Sequence, residues 1–393
     1  MNNINEELLE AVKNGDLDKV IELIDLGADP NVIDEYGRTP LHWASEKGHT
    51  KIVSLLLKVA PKTIRAKDKD DMIPLHYASK KGHIEIVSLF LEVDPETAKE
   101  KNKFGSTPLH YASAKGHTKI VSLLLEVAPE TAKERNNIGM TPLHLASDYG
   151  YVKIVSFLLK VAPETAMIKD EYSMTPLHHA ASHGHTEVVS LLLKVAPEAA
   201  KEKDNIGETP LHIALDWRYT EVALLILKAV PETTKIKNND GMTPLHYASK
   251  RGYTEIVSLI LKIAPETIKE KDKYEWLPLD WALDRDNREI VSLFLKVAPD
   301  IAKVKDEDSW TPLHFACFRS RIDVVSYFLA VAPDIVNVKS YDKKTPLYMA
   351  IENRKTEEIK KFFTSISMKL DIEKLETKEL ETYKKRTKKI YIF

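Results

Sequence analysis

A single cysteine, Cys317, stands among 393 residues. No disulfide can close within the chain, and the cysteine clusters of structural zinc sites are missing. Charge of one sign is also missing: 57 Lys and Arg face 59 Asp and Glu, a formal net charge of −2. Without an overall field to draw polyanions, neither nucleic acid nor an anionic membrane is an expected partner. No apolar run approaches the roughly 20 residues of a bilayer-crossing helix. The opening residues MNNINEE lack the basic-then-apolar pattern of a secretory leader. A protein of a reducing, cytoplasmic compartment is expected. The chain also has no P-loop, no G-x-G-x-x-G, no H-E-x-x-H and no G-x-S-x-G, the motifs through which phosphate, dinucleotide, zinc and acyl chemistry usually announce themselves.

What is present is a period. Thr-Pro-Leu-His or a near copy opens at residues 39, 73, 107, 141, 175, 209, 243, 277, 311 and 345, always 34 positions apart. A unit that short cannot bury its own apolar face, so neighbours stack into a shared core. Residues 1–364 read as an N-terminal cap plus ten repeats, and residues 365–393 as a charged C-terminal helix or tail.

Residues 34–67, DEYGRTPLHWASEKGHTKIVSLLLKVAPKTIRAK, show how one unit works. Thr39 is a suitable N-cap, Pro40 fits the first helical position, and His42 can reach back to the cap. That short helix stops near Gly48, and a second begins near Thr50 with Ile52, Val53, Leu55, Leu56 and Leu57 as its apolar body. Pro61 ends it. Between units, Asp34, Glu35, Tyr36 and Gly37 carry the chemistry of a tight turn.

These units resemble the ankyrin repeat in their TPLHxA core, in the glycine-histidine turns Gly48-His49, Gly82-His83, Gly116-His117 and Gly184-His185, and in their I/V-V-S-L-L-L second helix. The likeness runs from residue 5 to about residue 364. The first unit, with Gly27-Ala28-Asp29-Pro30-Asn31, is the most family-like; later units carry Ala-Pro-Glu-Thr-Ala there, expected to reshape the connection on the convex side. The resemblance implies an all-α ankyrin-repeat solenoid of stacked helix-turn-helix units with projecting hairpin-like turns. It also implies a protein-binding scaffold or adaptor that receives its partner in the concave groove made by the turns and first helices. A host-directed effector of an intracellular microbe would use the same physics; an enzyme is the remaining alternative. A monomer is the expected state.

Residue accounting weighs against catalysis. All 20 prolines fall in two columns, one in the T-P-L-H motif and one after the second helix. Of 14 histidines, eight belong to the motif and four follow a turn glycine, leaving His179 and His183. Four residues apart, those two could share a metal, but no third ligand is evident. Cys317 fills a column of small residues and reads as a packed thiol. No catalytic residue, metal or cofactor is expected.

The repeat breaks in two columns. The residue before the motif reads Arg38, Met72, Ser106, Met140, Met174, Glu208, Met242, Trp276, Trp310 and Lys344, apolar for a turn. The residue before the turn glycine reads Lys47, Lys81, Lys115, Tyr149, His183, Trp217, Arg251, Arg285, Arg319 and Asn353. A lysine ladder thus gives way to aromatics and then to arginines. Trp, Tyr and Arg dominate interface hot spots, so Trp217, Arg251, Tyr274, Trp276, Arg285, Trp310, Phe318 and Arg319 form the candidate partner site. Arginine forks suit an acidic or phosphorylated segment of another protein. Local pairing with Asp284, Asp286 or Asp323 is the competing reading of the arginines.

All 13 glycines lie at or before Gly252, so the last three units must turn without them, using Asx side chains such as Asp306. The basic run KKRTKK at residues 384–389 resembles a nuclear-import or anion-binding cluster, against which stands the favoured reading of a solvated basic end.

Overall fold

A computed structural model describes residues 3–319 and 321–352. The tail at 365–393 and Asn353 lie outside the described residues. The described residues are helical throughout, with no strand among them. The chain falls into two compact units, residues 1–230 and 231–393.

In the first unit the period becomes helix, tight turn, helix and short 3₁₀ helix. The helices Pro40–Lys47 and Thr50–Val59 are followed by the 3₁₀ helix Pro61–Arg65. Thr39 is extended ahead of Pro40, and His42 closes a reciprocal cap: its Nδ1 accepts the Thr39 N–H at 3.0 Å. The same ring then reaches forward, its Nε2–H donating to the Met72 carbonyl at 2.9 Å. One histidine therefore caps its own helix and ties it to the next repeat. The bond recurs from His76 to Ser106 O, His110 to Met140 O, His144 to Met174 O and His178 to Glu208 O, at 3.1 to 3.2 Å. Leu41, Leu75, Leu109, Leu143 and Leu177 beside them are fully buried.

Gly48 ends the first helix in the left-handed region at φ 82°. It must be glycine for a second reason: a Cβ there would stand 2.6 Å from Cε1 of His83, whose Nε2 bonds to the Glu46 carbonyl at 3.1 Å. This contact explains the glycine-histidine pairs in the sequence.

The Ala-Pro-Glu-Thr-Ala segment is more regular than expected. It is not merely a reshaped connection: Pro95–Lys99, Pro129–Lys133 and Pro163–Met167 are 3₁₀ helices. Proline starts each one without needing an N–H donor. The buried Thr131 and Thr165 hydroxyls donate back to the carbonyl before the proline at 2.6 Å. Sequence reasoning stopped at the proline as a terminator and did not weigh the threonine two residues on.

The projecting turns are stitched in a row. Lys69 N–H donates to Tyr36 O, Lys103 to Asp70 O, Asn137 to Phe104 O, Glu171 to Ile138 O and Asn205 to Tyr172 O, at 2.9 to 3.1 Å. Within a turn, Asp34 Oδ1 accepts the N–H groups of Tyr36 and Arg38, both at 2.9 Å.

The second unit repeats this plan with Pro244–Arg251 and Thr254–Ile263, Pro278–Asp284 and Arg288–Val297, and Pro312–Phe318 and Ile322–Val331. Its later turns lack glycine but keep the geometry. Glu275, Asp286, Ser309 and Lys343 take φ of 59° to 62° where most earlier repeats carry glycine; Asp71, Ser173 and Arg218 already take a positive φ in the first unit. Asn287 stands in for the stacking histidine, its Nδ2 donating to Ser249 O at 2.6 Å.

Candidate partner-binding site

The column before the motif was expected to face a partner. Much of it is covered instead: Met72, Met140 and Met242 are buried, and Met72 and Met140 lend their carbonyls to the histidine of the preceding repeat. Their apolar character belongs to the packing of turn on turn. In the second unit Trp276 and Trp310 are half-buried. The Trp276 ring lies 5.0 Å from Trp281 and 5.6 Å from Phe315, while Trp310 lies 5.7 Å from Phe318.

Other members of the set are open. Trp217, at the end of Pro210–Asp216 in the first unit, is 65% exposed, and Tyr274, in a turn of the second unit, is 62% exposed. Phe318 is exposed and Arg251 half-buried. The candidate residues therefore come from both units; all but Trp217 belong to the second.

Arg285 and Arg319 converge on one carboxylate. Arg319 Nη2 lies 2.6 Å from Asp284 Oδ1, and Arg285 Nε lies 3.3 Å from Asp284 Oδ2. Arg321 pairs with Asp286 at 2.8 Å, and Arg288 with Asp286 and Asp323. Local pairing is thus part of the arrangement, yet the Arg285–Asp284–Arg319 trio still carries one positive charge more than it neutralises. The Arg319 guanidinium also lies 5.3 Å from the centre of the Phe315 ring, a cation–π distance.

Sequence reasoning missed a second pattern, because it joins columns nine residues apart. In several repeats the Asx residue opening the turn bonds to the residue in the middle of the next helix: Asp34 to Trp43, Asp68 to Tyr77, Asn102 to Tyr111 and Asp272 to Trp281, at 2.6 to 2.9 Å. The signal was available as indoles and phenols recurring in a column opposite a column of Asp and Asn, the ring donating to Asp and the phenol oxygen accepting from Asn. His179 is the variant member. Its Nε2 lies 2.8 Å from Asp170 Oδ2 and its Nδ1 3.1 Å from Asp148 Oδ1. Burial pushes the ring's pKa down, but the two carboxylates outweigh it and raise it to about 9. Held as an imidazolium with both nitrogens engaged, His179 has no lone pair for a metal, and His183 shares Asp148 at 3.3 Å. No group of His, Cys, Asp and Glu among the described residues is arranged to hold a metal ion.

The motif histidines sit at the opposite extreme. Burial lowers His76, His110 and His246 to about 4, and His144 and His178 to about 3, so each is the neutral ring that the Nδ1-accepting, Nε2-donating geometry requires. Cys317 is fully buried, and burial pushes its thiol well above the ordinary range. It is a packed, inert thiol.

No helix among the described residues is long and apolar enough to cross a membrane. A family model for ankyrin repeats (3 copies) matches residues 8–100, 93–167, 161–236, 228–304 and 299–372. Histidine-capped helix pairs, stitched turns and matched stretches covering most of the sequence lead to one assignment: the chain belongs to the ankyrin-repeat family, whose repeats serve in general as protein–protein interaction scaffolds.

Proposed function

We propose that the second unit of this scaffold binds an acidic or phosphorylated segment of another protein through Arg251, Tyr274, Trp276, Arg285, Trp310, Phe318 and Arg319. The convergence of Arg285 and Arg319 on Asp284 carries this reading. Two guanidinia already gathered around one carboxylate form a preorganised fork with one positive charge in excess, which a partner carboxylate balances and a phosphate more than balances. Tyr274 and Phe318 supply exposed aromatic area, and aromatic anchors flanking arginines are the residue mixture of interface hot spots.

The test is a titration of acidic peptides, phosphorylated and unphosphorylated, against the full chain. Joint Arg285→Lys and Arg319→Lys substitution keeps net charge but removes the planar fork, and is expected to weaken the best peptide by roughly tenfold, about 1.4 kcal/mol. Trp276→Ala with Trp310→Ala is expected to raise its off-rate. Wild-type affinity in both variants would place the partner on the face lined by Lys47, Lys81 and Lys115 instead.

A further inference from the structure

Two features of neighbouring repeats are missing at one place in the second unit. The motif histidine is replaced by Asp280, and the indole that the preceding repeat sets opposite its turn Asx, Trp281, is replaced by Phe315. Each replacement removes a donor. In the preceding repeat His246 fills its site and donates to Trp276 O at 3.2 Å, and in the following one His314 donates to Lys344 O at 3.2 Å. Asp280 is shorter than histidine and, when ionised, only accepts hydrogen bonds. Its Oδ2 takes the Leu277 N–H at 2.8 Å, keeping the cap, but it has no ring with which to reach the Trp310 carbonyl. Likewise Phe315 has nothing to donate to Asp306, whereas Trp281 donates to Asp272 at 2.9 Å.

The space vacated is a partly enclosed cavity of about 30 Å³, bordered by Asp280 and Asp306, walled by Trp276, Trp310 and Phe315, and rimmed by the exposed Lys305. The carboxylate oxygens of Asp280, Asp306 and Glu275 outnumber its side-chain donors, and the rest of its wall is apolar, aromatic with aliphatic Leu277, Val304 and Pro312. A group that donates in several directions and is attracted to ring faces matches this lining. A primary ammonium has three donors, no acceptor, and an electrostatic attraction to indole faces.

We propose that this cavity is a binding site for a primary ammonium group, such as the end of a lysine side chain presented by a partner. The site goes beyond the arginine-based reading and does not depend on it. The cation enters between the two tryptophans, and Asp280 and the Trp310 carbonyl take its N–H bonds. A quaternary ammonium has no N–H to give these acceptors and is bulkier than the space, so it binds more weakly.

The experiment titrates the full chain with n-butylammonium, n-butanol and tetramethylammonium, following tryptophan fluorescence at about pH 8, where Asp280 is largely ionised and the amine is still charged. Saturable binding of n-butylammonium is expected, weaker by roughly tenfold or more for the other two probes. Asp280→His, which restores the residue of the neighbouring repeats, is expected to fill the cavity and abolish binding while leaving the far-ultraviolet dichroism unchanged. Asp280→Asn keeps the shape and is expected to lose most of the affinity. Equal binding of n-butanol, unchanged binding in Asp280→His, or no saturable response to n-butylammonium would each overturn the proposal, the last leaving the cavity as a water site.

Discussion

His179 and Asp170 form a part-buried charged pair, imidazole Nε2 to carboxylate oxygen at 2.8 Å, at a position where other repeats pair an Asx residue with an indole or a phenol. Asp148 completes the clamp from the other side. Because the folded state raises the His179 pKa to about 9, its contribution to stability is fully present below the unfolded value near 6.5 and is lost as pH rises through 9. We expect the urea midpoint to fall over that window by an amount worth roughly 2–3 kcal/mol. His179→Tyr keeps a hydroxyl for Asp170, in the manner of Tyr77 and Asp68, and should remove that slope. A wild-type midpoint that stays flat between pH 6.5 and 9 would show that the clamp is not protonated in the way its geometry indicates.

The motif histidines give the opposite sign. Their folded pKa values are depressed to about 3 or 4 at His76, His110, His144, His178 and His246. Stability from these rings is present above the unfolded value and is lost as pH falls through the interval between about 6.5 and 4. Several buried rings titrating together should bring acid unfolding on before most carboxylates protonate. Far-ultraviolet dichroism against pH checks this: loss of helix confined to pH values below about 4 would assign acid unfolding to carboxylates instead.

How far the sequence carried this picture depended on whether a constraint was local. The Thr39–His42 cap, the Gly48 stop and the helix beginning at Thr50 each rest on contacts within a few residues, and all three stand in the structure. The forward bond from His42 to residue 72 spans 30 positions, so the motif showed a conserved-looking spacing without showing its bond. Burial of Met72 and Met140 follows from stacking of one turn on the next, which a single column of residue types does not display. The clamp on His179 joins residues 31 and 9 positions away, and the sharing of Asp284 by Arg285 and Arg319 joins neighbours with residues 35 apart. Asp280 was visible as a break in the motif, but its meaning needed the cavity.

Turns without glycine carry a backbone cost. Glu275 and Ser309 hold φ of 62° and 59° at the position where Gly241 holds 75°. A side chain in the left-handed region is strained, and glycine relieves that strain. Glu275→Gly and Ser309→Gly are each expected to stabilise the second unit by roughly 0.5–1 kcal/mol, less the entropy that glycine adds to the unfolded chain. Glu275 also pairs with Lys271 at 2.7 Å, an exposed contact worth little, so Ser309→Gly is the cleaner variant. Chemical denaturation measures it, and a lower midpoint in Ser309→Gly would mean that the serine side chain offsets its own strain.

Asp280 offers a stability test separate from ligand binding. Burial, reinforced by Asp306 and Asp272 and opposed by the Leu277 N–H and Lys271, lifts its carboxyl from 3.8 to about 7. A carboxyl with a raised folded pKa favours folding when protonated, so its contribution is fully present below the unfolded value and is lost as pH rises through 7. Asp280→Asn removes the ionisation, keeps an oxygen for the Leu277 N–H, and adds an N–H₂ on the side of the Trp310 carbonyl. The variant should therefore exceed wild type by roughly 1–2 kcal/mol at about pH 5, a gap that widens to roughly 3–4 kcal/mol above pH 7. Urea titrations at about pH 5, 6.5 and 8 measure the gap. A gap that widens with pH supports a desolvated carboxylate at the cavity wall, whereas a constant gap would trace the effect to packing, which does not titrate.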